Sequence, residues 1–374
     1  MVPLRYTVRS VGQRKARTGM TVLGVTFAVA IYSVMSAVGS TMVRSFRTTG
    51  APDELVLAQT GALTTEFSNV PRGSLAYVQT LDGVATRDGR PLVSPELWLQ
   101  SVLQGDGRGR DVSVRGVTAT APLVYRQVRL MAGHWPGAGR QAAMGRAAAD
   151  RLGLALGDTL RFEGVTWTVA GLLDAGGRVY DQEVWVDLDE LAAAANRLSY
   201  SSYTVVAHDT AAIPGVIEAV NEGRRYPMAA QRAGAFYART GGMQVFMAYL
   251  GTFISIIVAI GAGFAGMNTM YAAVAGRRRE IGVLRALGYG RSAILSSFLL
   301  ESLLLCLVGG LLGLALGWVL SMVRVDLPLL PSSHVALGAQ QVWRSVALAL
   351  GVGVLGGGLP ALQASRLAVV DALR

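Results

Sequence analysis

A phosphate-binding loop sets a lysine between glycine and serine or threonine, so that the ammonium reaches the β- and γ-phosphates. The 374-residue sequence has one lysine, Lys15, standing between Arg14 and Ala16. It cannot hold a nucleotide in that way. The three histidines, His134, His208 and His334, are far apart, and the single cysteine is Cys306. No Cys/His/Asp group has the spacing of a metal site. His134, within Gly133-His134-Trp135-Pro136, reads as a turn residue. No nucleophile motif is present either, so no catalytic residue, metal or cofactor is expected in this sequence.

What remains is charge and glycine in unusual places. Glu301 is the only charged residue in the run 292–323. Such a group is either functional or simply paired near an interface, with Arg291 two to three helical turns away. In the segment 276–290, Ile281, Leu284 and Leu287 recur at helical spacing, arginines occupy the other side, and Gly288 supplies a stop. A short amphipathic helix of this kind either rests on anionic lipid or docks into a protein partner. The residues alone leave both open. Gly309, Gly313 and Gly317 recur every fourth residue, and Gly353 and Gly357 repeat the spacing. That pattern allows close helix approach, within one subunit or across a dimer seam.

These residues need long apolar elements to carry them. Hydrophobic residues make up 52% of the chain and charged ones 16%, with a mean hydropathy of +0.41. The apolar residues are gathered into runs at 19–43, 241–275, 292–323 and 345–365, each long enough to cross a bilayer core. The first run is too long for a cleaved signal and reads as a signal-anchor helix. The segments 1–18, 276–291 and 366–374 carry twelve basic and two acidic residues, which accounts for the whole net charge of +10. The positive-inside rule places these three in the cytoplasm and the near-neutral 44–240 and 324–344 outside. The pI of about 10.1 then needs no nucleic acid to explain it.

The insert 44–240 has ordinary globular composition. Strand-like runs lie at 54–58, 111–117, 128–131, 159–173, 183–186 and 202–207. Helical patterns are predicted at 74–81, 95–103, 145–153, 187–198 and 213–222, and 105–110 is a loop. The expected fold class is a membrane α-helical protein, four spans in a one-plus-three arrangement, with an inserted α+β domain of two lobes. The run 241–276 would extend about 54 Å as a helix, which predicts a stalk beyond the bilayer.

Residues 267–270 (Met-Asn-Thr-Met), the element Arg277-Arg278-Arg279-Glu280-Ile281-Gly282-Val283-Leu284-Arg285-Ala286-Leu287-Gly288 and residues 298–305 together resemble the permease domain of the MacB/FtsX/LolC family of ABC transporters. The end, 360–374, looks like the family's C-terminal signature. Residues 145–162 and 168–172 are similar to the outer domain of the MacB-like branch. Two departures stand out: Ala368-Val369 where the family usually has Asp-Pro, and Asp371 in place of Glu.

The resemblance implies a first coupling helix built from Arg277, Arg278, Arg279, Glu280, Ile281, Gly282, Leu284, Arg285, Leu287 and Gly288. It implies a second coupling element at Arg366, Asp371, Leu373 and Arg374. Both would rest on a separate cytoplasmic ABC ATPase that binds ATP and Mg. A second permease copy or a sister permease would complete a mechanotransmission machine in a bacterial inner membrane. Export through a tripartite assembly, with a periplasmic adaptor and an outer-membrane duct, is the leading expectation. A lipoprotein-releasing permease and an FtsX-like regulator of cell-wall hydrolases are the alternatives. Outside the family, the competing reading is a membrane-anchored receptor or scaffold.

Overall fold

The computed structural model describes residues 15–62, 64–104, 109–223, 225–322 and 338–367. The first apolar run forms one unbroken helix, α1 (Lys15–Thr48). The chain turns at Gly50, whose φ of +88° suits glycine. A Cβ there would stand 2.7 Å from that of Ala233.

The ten strands of the main sheet follow: β1 (Glu54–Gln59), β2 (Val93–Val102), β3 (Asp111–Val117), β4 (Arg129–Gly133), β5 (Gln141–Gly145), β6 (Thr159–Phe162), β7 (Val165–Asp174), β8 (Glu183–Asp187), β9 (Ser202–Val206) and β10 (Met228–Arg232). They lie in the order β10-β1-β9-β2-β3-β8-β5-β7-β4, with β6 paired to β7. The β3–β8 and β5–β7 pairs are parallel and the rest antiparallel. Among the helices of this domain are α2 (Arg146–Leu152), α3 (Leu188–Ala194), α4 (Ile213–Glu222) and α5 (Ala233–Thr240). Asp187 starts α3 by accepting from the Asp189 and Glu190 backbone N–H groups, as an N-cap should.

Strand β2 joins the two halves of this one sheet. Its first half, Val93 to Glu96, pairs with β9, and its second half, Leu97 to Val102, pairs with β3. Both faces of the sheet are buried at β1, β8 and β9, whereas β6 and β7 bury one face. Leu55 and Leu57 of β1 enter one core, and Val56 and Ala58 enter the other, the two-residue period of a strand. A strand covered on both sides shows no clean polar alternation. In β2 only the first half is covered in this way. Beyond it Leu97, Leu99 and Ser101 are buried while Trp98, Gln100 and Val102 face outward. This mixture of polar and apolar residues on each face is why 95–103, expected as a helix, is instead most of β2. Burial on both faces hid β5, whose Ala142, Ala143 and Met144 are all enclosed, and β10 was also not predicted.

The remaining elements are helical: α6 (Gly242–Ala275), α7 (Arg278–Ala286), α8 (Arg291–Met322) and α9 (Ala339–Arg366). Helices α1, α6, α8 and α9 are long and apolar enough to cross a membrane. The described residues divide into two compact units, one holding most of these four helices and α7, the other made of 41–245. In the helical unit α1 is the most enclosed, with 56% of its apolar window buried, while α6 has 17%. Most of α6 is therefore left for lipid or for another chain.

Candidate functional site

The loop helix α7 is fastened to its own bundle on three sides. Just before it, the Arg277 guanidinium pairs with Glu301 of α8 at 3.0 Å, both side chains being largely buried. Among the described residues Glu301 thus pairs with Arg277 and not with Arg291. Ile281, 2% exposed, packs with Met270, Val274, Ile294, Phe298, Ala361 and Ala364. Arg285 turns inward, donating through one Nη to the carbonyls of Leu367 at 2.6 Å and Ser365 at 3.3 Å. Those oxygens belong to the end of α9, where a helix leaves its last carbonyls unpaired and a cation is favourable. Gly288, at φ +93°, then stops the helix, and the Tyr289 N–H returns to the Leu284 carbonyl.

The apolar stripe of α7 is therefore split. Ile281 and Gly282 are buried and Leu284 half-buried, whereas Leu287 is 72% and Val283 49% exposed. Arg278, Arg279 and Glu280 are exposed as well. Of the tail, Arg366 ends α9 and is exposed. Asp371, Leu373 and Arg374 lie outside the described residues, as do 1–14 and His334.

Two glycine seams hold the bundle. On α8 a Cβ at Gly309 would stand 3.0 Å from the Val22 carbonyl oxygen, and one at Gly313 2.6 Å from that of Thr26. Gly317 lies as closely on Ser33. The Thr26 hydroxyl donates to the Gly309 carbonyl across this contact. On α9, Gly353 packs on Leu303 and Cys306 and Gly357 on Ser302, whose hydroxyl donates to the Gly353 carbonyl at 2.8 Å. Both seams lie within one copy of the chain.

In the domain unit, a loop grips the end of α1. The Arg178 guanidinium donates to the Thr48 carbonyl at 2.9 Å and to that of Ala175 at 2.7 Å, and the Val179 N–H donates to the Thr49 hydroxyl. Beside it Asp181 accepts from the Ala175 and Gly177 N–H groups and fixes the loop.

Deeper in, Arg115 of β3 is 3% exposed and forks onto Glu183 with two bonds of 2.7 Å. It reaches Glu96 with its other Nη, and the Tyr125 hydroxyl donates to the same carboxylate. The guanidinium also lies over the Tyr125, Tyr180 and Trp185 rings. Burial is the largest single influence and lowers the Arg115 pKa, but the charges of Glu183, Tyr237, Tyr125 and Glu96 together outweigh it and the net shift is upward. Burial and the Glu96 charge also push the Tyr125 hydroxyl well above the ordinary tyrosine value. Sequence reading passed over this cluster, although Glu96 and Arg115 each interrupt a strand with a charge. Among the described residues no three His, Cys, Asp or Glu side chains gather as a metal site would require.

Long apolar helices, a mixed α/β domain inserted between the first and second, and a short helix between the second and third define a multi-pass membrane protein of one-plus-three arrangement. Residues 18–222 match the MacB-like periplasmic core domain, and residues 252–369 match the FtsX-like permease C-terminal region. The chain belongs to the MacB/FtsX family of ABC permeases.

A stretch of 134 residues is 34% identical to the macrolide export ATP-binding/permease protein MacB 1 of Yersinia pestis bv. Antiqua (strain Antiqua), covering 36% of this chain and 20% of that protein. The macrolide export ATP-binding/permease protein MacB of Neisseria gonorrhoeae is 36% identical over 138 residues, with the same coverage. The matched part is thus about a fifth of those relatives' length. Among solved structures, the periplasmic region of MacB from Actinobacillus actinomycetemcomitans aligns at 12% identity and a TM-score of 0.39, over 49% of this chain and 90% of that one. The extracellular domain of the ABC-type transporter YknZ from Gram-positive bacteria aligns at 16% identity and 0.38, over 48% and 99%.

Proposed function

We propose that this chain is the non-catalytic membrane subunit of an ABC-type mechanotransmission machine, in which a separate cytoplasmic ATPase seats on α7 and drives the outer domain. The carrying observation is the division of labour on α7. Ile281 and Arg285, with Arg277 just ahead of the helix, anchor it to three spans, while Val283, Leu287, Arg278 and Arg279 stay exposed. A helix so fastened cannot shift without moving α8 and α9. ATP and Mg would bind to the partner, and this chain needs no cofactor. In this reading the loop and both termini lie in the cytoplasm of a bacterium and 44–240 in the periplasm. A second copy or a sister permease would cover α6. The curated relatives named as macrolide exporters favour export, through an adaptor and an outer-membrane duct, over lipoprotein release or control of cell-wall hydrolases.

The test is co-purification, from detergent, with the ATPase encoded beside this gene. Wild type and Leu198→Asp, altered at an 87% exposed site of the outer domain, are expected to retain the ATPase, and Leu287→Asp to lose it while remaining folded. Retention by Leu287→Asp would remove α7 as the seat. Absence of any ATPase from the wild type would favour a membrane-anchored receptor instead.

A further inference from the structure

The outer domain contains a cavity of about 460 Å³, a volume suited to a small organic molecule. Its walls come from the last turns of α1 (Thr41, Ser45, Phe46), from Phe236, Tyr237 and Gln244 where the chain leaves the domain, and from β2, β3 and β8.

Charge is the first indication of what it holds. Glu66, Asp111 and Glu183 line the cavity against Arg115 and Arg151. Arg115 is already shared between Glu183 and Glu96, and Arg151 has an interaction of its own. Among the described residues, neither Glu66 nor Asp111 takes part in an ion pair. Among the described residues the walls therefore present more negative than positive charge, which an incoming cation would balance.

Aromatic residues are the second. Phe46, Trp98, Phe236 and Tyr237 all line the space, and aromatic faces attract cations most strongly where water is excluded. The third is an unsatisfied hydroxyl. Ser45 is 4% exposed, and its Oγ has no hydrogen-bond partner, nor has Thr64 Oγ1 on the same wall. A buried hydroxyl left without a partner is costly, and a bound molecule with N–H groups would supply one.

We propose that this cavity binds an organic cation: a protonated amine on an apolar, aromatic body. The carboxylates select its charge, the rings hold its body, and Ser45 and Thr64 accept its N–H groups. The site lies wholly within one copy of the outer domain. It does not require the ATPase, so its failure would leave the proposed coupling role untouched.

The experiment uses the full chain in a nonionic detergent and three fluorescent probes on one frame. They are dansylcadaverine, its N-acetylated neutral form, and the dansyl derivative of 6-aminohexanoate. The amine is expected to bind saturably, roughly tenfold tighter than the other two, with energy transfer from tryptophan that falls in Trp98→Phe. The Glu66→Gln/Asp111→Asn double variant, altered at two incompletely buried side chains, is expected to erase the preference at an unchanged melting temperature. Equal binding of the three probes to the wild type would overturn the proposal without recourse to any variant. So would a preference that survives in the folded double variant.

Discussion

Buried carboxylates in the outer domain meet two different environments. Glu96 and Glu183 share Arg115, while Glu54, equally enclosed, has only neutral partners for its Oε2: the Ala51 N–H at 2.9 Å and the Gln127 side-chain amide at 3.1 Å. Its Oε1 and the Gln127 Oε1 are both buried without a donor. Burial pushes the Glu54 pKa above its ordinary value of 4.5. In the window between 4.5 and that raised value the folded state binds more protons than the unfolded one, so stability falls as pH rises through it. Glu54→Gln lacks this penalty and can offer its N–H₂ to an orphaned oxygen. Its unfolding temperature should exceed that of the wild type at pH 8, with the gain vanishing near pH 4. A gain that does not change with pH would mean that Glu54 is not the titrating group. None of this was legible in the sequence, where Glu54 is only the start of a strand. Arg285 is a similar case: its type suited an exposed cationic face, but the end of α9, eighty residues onward, draws it inward.

At the scale of the element, glycine spacing was informative because a four-residue repeat fixes one helix face whatever packs against it. What the spacing could not supply was the neighbour, which for α8 proved to be α1 and for α9 to be α8. The contact makes unequal demands on glycines of the same bundle. A Cβ at Gly313 would press on the Thr26 carbonyl oxygen and stand 2.8 Å from the Val29 Cβ, while one at Gly351 meets nothing within 4 Å. Gly313→Ala should cost about 1–3 kcal/mol, measured as a drop in the thermal unfolding midpoint in detergent, and Gly351→Ala should be neutral. Equal effects would deny the seam its role. Helices α1, α6, α8 and α9 could be read from hydropathy alone, since lipid demands long uncharged runs. Strand β2 could not. Its buried face holds the polar Ser101 and its open face the apolar Trp98 and Val102, so the sequence lacks the alternation that would have revealed the strand.

At the scale of the whole molecule, the proposed machine needs a firm joint where α1 meets the outer domain, and the grip of Arg178 on the Thr48 carbonyl is the most direct one. Arg178→Ala should leave ATPase binding and ATP turnover at the wild-type level. It should reduce the nucleotide-dependent response of a fluorophore attached through Phe67→Cys, a 69% exposed position, in a Cys306→Ser background. An undiminished response would show that force passes by another route. The ends of the insert have a different consequence. Strand β1 opens it and β10 closes it, and they are hydrogen-bonded neighbours, with Leu55 opposite Arg232 and Gln59 opposite Met228, pairs about 5 Å apart. Their adjacency makes the insert a cassette. It can be enlarged, trimmed or exchanged for another without spreading the two points of attachment, so one set of spans can be fitted by evolution, or by an engineer, with outer domains for quite different cargo.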